Sequence, residues 1–150
     1  MKRFFALFII CLLFFSMICP ISANAACEVT HSEEYILENG LRVVDSITVH
    51  PDNRASIVNA ERKKSIYDGD TLVAYIRFEA GFRCDGSTVS VVSKTVTNTS
   101  TYDGWKYVQN SFTSSGGTVT LDAKITKWLI FNTPFTMTLS CDKNGNISYT

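Results

Sequence analysis

The sequence predicts an all-β chain folded as a single antiparallel β-sandwich, and three observations carry that expectation. From Thr71 to Cys84 apolar and polar residues alternate without a break, the period of a half-buried strand. Turn pairs such as Asn39-Gly40, Asp68-Gly69, Asp85-Gly86 and Gly116-Gly117 recur along the chain at hairpin spacing. No segment shows a strong helical pattern, and eight to ten short or medium strands can be laid out. A small closed barrel is the alternative architecture.

The first element is a leader. Lys2 and Arg3 precede an apolar run from Phe4 to about Cys19, Pro20 follows, and Ala23-Asn24-Ala25 supplies small residues for cleavage. This reads as a secretory signal peptide over residues 1–25, leaving a domain of residues 26–150; the run is short for an uncleaved membrane span. Cys27 opens a second processing route, lipidation of a cysteine just after the cut, although Asn24 fits that pattern poorly. Removal of the leader takes two of the 14 basic and none of the 14 acidic residues, so the remainder carries a net charge of −2. That gives no electrostatic basis for binding nucleic acid.

After the leader, Glu34–His50 reads as a hairpin about Asn39-Gly40, and Pro51-Asp52-Asn53 turns the chain. Ala55–Tyr67 is ambiguous: Ile57, Val58 and Glu61-Arg62 fit a helical turn, whereas Ser65-Ile66-Tyr67 before Asp68-Gly69 looks like a strand, and a strand is expected. In Thr71–Cys84, Leu72, Ala74, Ile76, Phe78, Ala80, Phe82 and Cys84 share the core face, with Gly81 a candidate bulge. Asp85-Gly86 turns into a Thr-rich strand from Ser87 to about Asn98. Trp105–Phe112 and Thr118–Thr126 form a hairpin through Gly116-Gly117. Lys127–Phe131 loses the alternation and reads as a bulge or a stretch buried on both sides, with Trp128 in the core. Phe135, Met137, Leu139 and Cys141 alternate inward before the turn Asp142–Asn146 and a short end strand.

Three cysteines remain after the leader, an odd number for an oxidising compartment. Cys84 and Cys141 both end core-facing strands and both precede an Asp that can build an Asx turn, so these two are expected to pair, with Cys27 left over. His31 and His50 stand in no recognisable thiol-enzyme or zinc context. Asp142-x-Asn144-Gly145-Asn146 alternates oxygen ligands like a calcium loop but lacks its closing Glu, and an ordinary turn is preferred. No metal or cofactor is therefore expected. The most suggestive constellation is Tyr102, Asp103, Trp105 and Tyr107, where two aromatic rings on one face stand beside a carboxylate, as in sites that grip sugars or peptides. Asn98 and Asn146 begin Asn-x-Ser sequons, relevant only to a eukaryotic source.

Glu33-Glu34, Leu37-Glu38-Asn39-Gly40, Asp85-Gly86-Ser87, Asp103-Gly104-Trp105-Lys106 and Leu139-x-Cys141-Asp142-x-Asn144-Gly145-Asn146, behind a signal peptide, form a pattern. It resembles the uncharacterised small secreted proteins of Gram-positive, Clostridium-like bacteria. The resemblance implies secretion and a β-sandwich, immunoglobulin-like in the broad sense, and carries over no catalytic or binding residue. The paired cysteines match the immunoglobulin inter-sheet bridge only loosely, since Trp105 is the one candidate for that family's core Trp.

The expected function is a secreted, non-enzymatic recognition module for cell-wall carbohydrate or an extracellular protein. A secreted hydrolase with two facing carboxylates is one rival. An envelope lipoprotein or immunity-type inhibitor is the other, and only it, through Cys27, would touch a membrane.

Overall fold

A computed structural model describes residues 29–51, 56–100, 102, 104–128 and 131–150. The expected leader (residues 1–25), Cys27 and Asp103 lie outside the described residues. Nine strands form two antiparallel sheets: β1 (Val29–Ile36), β2 (Arg42–Pro51), β3 (Ile57–Asp68), β4 (Thr71–Cys84) and β5 (Val89–Ser100) in one, β6 (Trp105–Ser115), β7 (Thr118–Lys127), β8 (Phe131–Cys141) and β9 (Ile147–Tyr149) in the other. No helix is present among the described residues.

Strand order follows chain order in both sheets. The sequence of hairpins therefore dictates the topology, and the Greek-key crossover of immunoglobulin domains is absent. The barrel alternative is corrected: β1, β5, β6 and β9 remain edges, so neither sheet closes on itself. Because every neighbour is antiparallel, the turns segregate. Among the described residues, one end gathers 37–41, 68–70, 102, 104 and 128; the other gathers 56, 85–88, 116–117 and 142–146. The chain passes between sheets once, from β5 to β6, at the first of these ends.

The sheets share one core. Ile66, Ile76, Phe78 and Phe82 from the first meet Val119, Leu121, Ile125, Met137 and Leu139 from the second, all fully buried. Phe78 and Phe112 meet edge to face at 5.5 Å, an arrangement favoured by the ring quadrupoles.

Four local findings bear on the sequence reading. Ile57–Asp68 is strand throughout, as expected. Between β3 and β4 the register slips at Ile66 and Tyr67, which face Ala74 and Leu72; Val73 of β4, placed on the outer face by alternation, is the extra residue and is completely buried. Gly81 does mark a bulge, with Ser93 and Val91 opposite Gly81 and Phe82 so that Val92 is the extra residue. Lys127–Phe131 is neither a bulged nor a doubly buried strand: β7 ends at Lys127, β8 begins at Phe131, and Trp128 is 71% exposed rather than core.

The core also holds charge. On the inner face, Asp45 of β2 lies directly opposite Lys64 of β3 and diagonally from Arg62, and the three are only 3–5% exposed. Arg62 grips the carboxylate with both prongs, Nε to Oδ1 at 3.0 Å and Nη2 to Oδ2 at 2.8 Å, and Lys64 Nζ stands 3.1 Å from Oδ2. Arg62 Nη1 crosses to the other sheet, donating to the carbonyl oxygens of Thr138, at 3.2 Å, and Thr150. Lys64 Nζ also donates to the Tyr35 hydroxyl at 3.0 Å. One carboxylate is thus shared by two cations whose other donors are largely satisfied by the Thr138 and Thr150 carbonyls and the Tyr35 hydroxyl, which offsets part of the cost of burying them.

Candidate functional site

The two Cys-Asp segments that echo each other in sequence meet in space. Cys84 ends β4 and Cys141 ends β8, and their sulfurs are 3.2 Å apart, both as thiols. Each following aspartate folds its own turn. Asp85 Oδ1 accepts from the Ser87 and Thr88 amides at 2.9 and 2.6 Å; Asp142 Oδ1 accepts from those of Asn144 and Asn146 at 2.8 and 2.9 Å, and its Oδ2 from Asn146 Nδ2. These hydrogen bonds, led by the Thr88 amide for Asp85 and the Asn146 side chain for Asp142, hold both carboxyls below the usual range. Asp142 is thereby committed to its turn, the ordinary reading of that loop. The turns touch through the Gly86 amide, which donates to the Lys143 carbonyl at 3.1 Å.

Gly117 seats Cys141. Its carbonyl accepts from the Cys141 amide at 2.8 Å, and a methyl at its Cα would lie 2.5 Å from the Cys141 carbonyl oxygen and 2.6 Å from Val89 Cγ1. Backbone has little room to move aside, so Gly117→Ala is expected to destabilise the domain by about 1–3 kcal/mol in urea unfolding. A loss under about 0.5 kcal/mol, the level of an ordinary surface change, would show that the β6–β7 turn yields freely.

A carboxylate pair, which sequence could not pick out, lies on the outer face of the first sheet. Glu61 and Glu79 are directly opposite each other on β3 and β4 and border a cavity of about 340 Å³ with His50, Asn59, Arg77 and Ser93. The hydrolase rival needs one such acid protonated and one ionised. Glu61 is buried, which alone would raise its pKa, but hydrogen bonds from Lys63 and Arg77 outweigh burial and hold it below the usual carboxylate range. Arg77 also pairs with Glu79. Glu61 is thus held ionised rather than arranged as a proton donor, and Arg77, paired with both carboxylates, ties them into an ion ladder across the sheet.

The aromatic constellation divides. Trp105 and Tyr107 do share a face, but it is the inner one: Trp105 is 4% exposed, its ring centroid 5.5 Å from that of Phe131, and Tyr107 is half-buried. Trp105 is core, and its Nε1–H is buried with no hydrogen-bond partner among the described residues, a donor that carries a desolvation cost. Tyr102 is 55% exposed, and its carbonyl accepts from the Trp105 amide at 3.2 Å.

The exposed indole belongs to Trp128, which sequence reasoning assigned to the core. The signal was present: the inward residues of β7 are odd-numbered, Val119 to Ile125, so an even-numbered residue continues the outer face. Trp128 has φ of 50°, a conformation a bulky side chain adopts at a cost of roughly 1–3 kcal/mol. Its ring lies against Gly104, where a methyl would stand 2.8 Å from Nε1; Gly104 itself has φ of 80°. At this end of the sheets, Asn39 Nδ2 donates to Thr133 Oγ1 at 2.7 Å, beside a groove of about 460 Å³ lined by Glu38, Asn39 and Asn132 among others. No protein-family model, no curated protein and no solved structure matches this chain.

Proposed function

We propose that this chain is a secreted, non-enzymatic β-sandwich that recognises cell-wall carbohydrate through the end of the sheets carrying Trp128 and Tyr102. One observation carries the reading: Trp128 is held in a strained backbone conformation that presents its indole to solvent against Gly104, and Tyr102, two residues from that glycine, is also exposed. Strain retained at an exposed aromatic is a mark of a contact surface. A flat indole complements the C–H face of a sugar ring, and polar side chains such as Glu38, Asn39 and Asn132 at the same end suit its hydroxyls. Secretion rests on the leader motif, and Cys84 and Cys141 are proposed to be joined as an inter-sheet disulfide.

The test is pull-down of the exported chain on purified cell wall, followed by titration with the released glycans. Trp128→Ala is expected to weaken binding at least about tenfold, a loss of about 1.4 kcal/mol or more, with unchanged urea unfolding. Trp105 is unsuited to this test because its truncation would hollow the core. An extracellular protein as the ligand would appear as binding to that protein with none to glycan. Absence of glycan binding, or binding indifferent to Trp128→Ala, would remove the reading.

A further inference from the structure

We infer that the Cys84–Cys141 bond forms in a fixed order: Cys84 takes the first sulfur from an external disulfide, and Cys141 then displaces that adduct. This rests on the pairing proposed above and is independent of any ligand. The two residues are not equivalent. Cys84 is half-buried, and the chain beyond it runs into the exposed turn Asp85–Thr88. Cys141 is 6% exposed; its sulfur touches Cys84 Sγ and donates to the Asp142 carbonyl oxygen at 3.4 Å. An incoming disulfide must align three sulfurs for exchange, and Cys84 is the more exposed of the two residues. Burial, then the neighbouring Cys84 and Asp142, pushes the Cys141 thiol up to about 12, so little thiolate is available there for a first attack.

The chemistry balances with a disulfide, R–S–S–R, as oxidant. Cys84 thiolate attacks one of its sulfurs, forming Cys84–S–S–R and releasing R–S⁻, which takes up the proton Cys84 lost. Cys141, 3.2 Å from Cys84 Sγ, gives up its proton and attacks that sulfur; the S–S bond to R breaks and the second R–S⁻ leaves with the proton. Two protein thiols are oxidised and one R–S–S–R is reduced to two R–SH. The second attacker is the buried thiol, so the adduct should accumulate, and its decay should quicken as pH rises from 7 to 9 and more of Cys141 is thiolate.

The experiment treats the reduced exported chain, its Cys84→Ser variant and its Cys141→Ser variant with glutathione disulfide, and maps adducts by peptide mass so that Cys27 is scored separately. Expected results are a transient Cys84 adduct in the parent chain followed by the Cys84–Cys141 bond, a persistent Cys84 adduct in Cys141→Ser, and an unmodified Cys141 in Cys84→Ser. Serine differs by one atom, and matching urea unfolding of both variants excludes a folding artefact. Modification of Cys141 in Cys84→Ser at the rate seen for Cys84 would overturn the order while leaving the bond intact. A parent chain that forms no Cys84–Cys141 bond, or that joins Cys27 to either, would overturn the pairing itself.

Discussion

Asp45→Ala is expected to lower the unfolding free energy by roughly 3–5 kcal/mol, the cost of leaving buried cations unpaired. Asp45 is the one carboxylate shared by Arg62 and Lys64, and all three are buried between the sheets. Removing it strands two positive charges. Arg62 keeps its bonds to the Thr138 and Thr150 carbonyls, and Lys64 keeps the Tyr35 hydroxyl, which sets the estimate below complete loss of the fold. The measurement is the urea midpoint at unchanged slope. The triple change Asp45→Ala, Arg62→Met, Lys64→Met is the informative companion, because apolar residues of similar volume often match or exceed a buried ion cluster. Recovery in the triple variant would locate the cost in the stranded charges. A single-variant loss below about 1 kcal/mol, typical of an arbitrary substitution, would show that water reaches Arg62 and Lys64.

The same cluster fixes a pH dependence. Burial alone would raise the Asp45 pKa, but the hydrogen bond from Arg62 and the charges of Lys64 and Arg62 outweigh it and hold the carboxyl below the usual aspartate range. The folded protein therefore holds fewer protons than the unfolded chain in that range. Its contribution is fully present above the unfolded pKa and is lost as pH falls through the folded one. In Asp45→Ala the acid-side decline in stability should be correspondingly shallower.

That cluster also shows why part of the fold was hard to read. The run Asn59–Lys64 places Arg62 and Lys64 on the inner face, where an apolar residue would have completed the alternation. Their presence made β3 look half-helical. The Asp45 that explains them lies across a hairpin, and no local period reports a cross-strand partner. Strands without such intrusions, β4 and β7 above all, were legible because burial on one face imposes period two. Even there Val73 was misplaced, since a bulge shifts register at no fixed sequence signature. The ion ladder of Glu61 and Glu79 depended on that same shift: pairing counted straight back from the Asp68–Thr71 turn would have set Glu61 against Phe78. Trp105 and Trp128 exchanged roles for a different reason. Composition marks aromatics as candidates for binding, but only the parity of the strand carrying each one decides whether its ring faces core or solvent.

Oxidation of Cys84 and Cys141 to a disulfide is expected to raise stability by about 4 kcal/mol, the chain-entropy value for a closed loop of this length. For a domain of this size that is a midpoint shift on the order of 10–20 °C. The topology gives the bond more than an entropic role. The backbone crosses between sheets once, where β5 leads into β6, and at that end Asn39–Thr133 and Lys127–Asp68 add polar links. At the opposite end the sheets are joined by the sulfur contact and the Gly86–Lys143 hydrogen bond, with no chain crossing. With the thiols reduced, that end has no covalent connection, so opening about the β5–β6 passage is the easiest partial unfolding. Thermal unfolding and amide exchange of the oxidised and reduced chain test this together, with the Cys84→Ser, Cys141→Ser double variant as the reductant-insensitive control. The expected pattern is a large drop in midpoint on reduction and faster exchange concentrated in Val89, Thr118–Leu121 and Leu139–Cys141, next to the thiols. Equal midpoints would mean that packing alone holds that end closed. A drop with uniform exchange would confine the bond's effect to the unfolded chain.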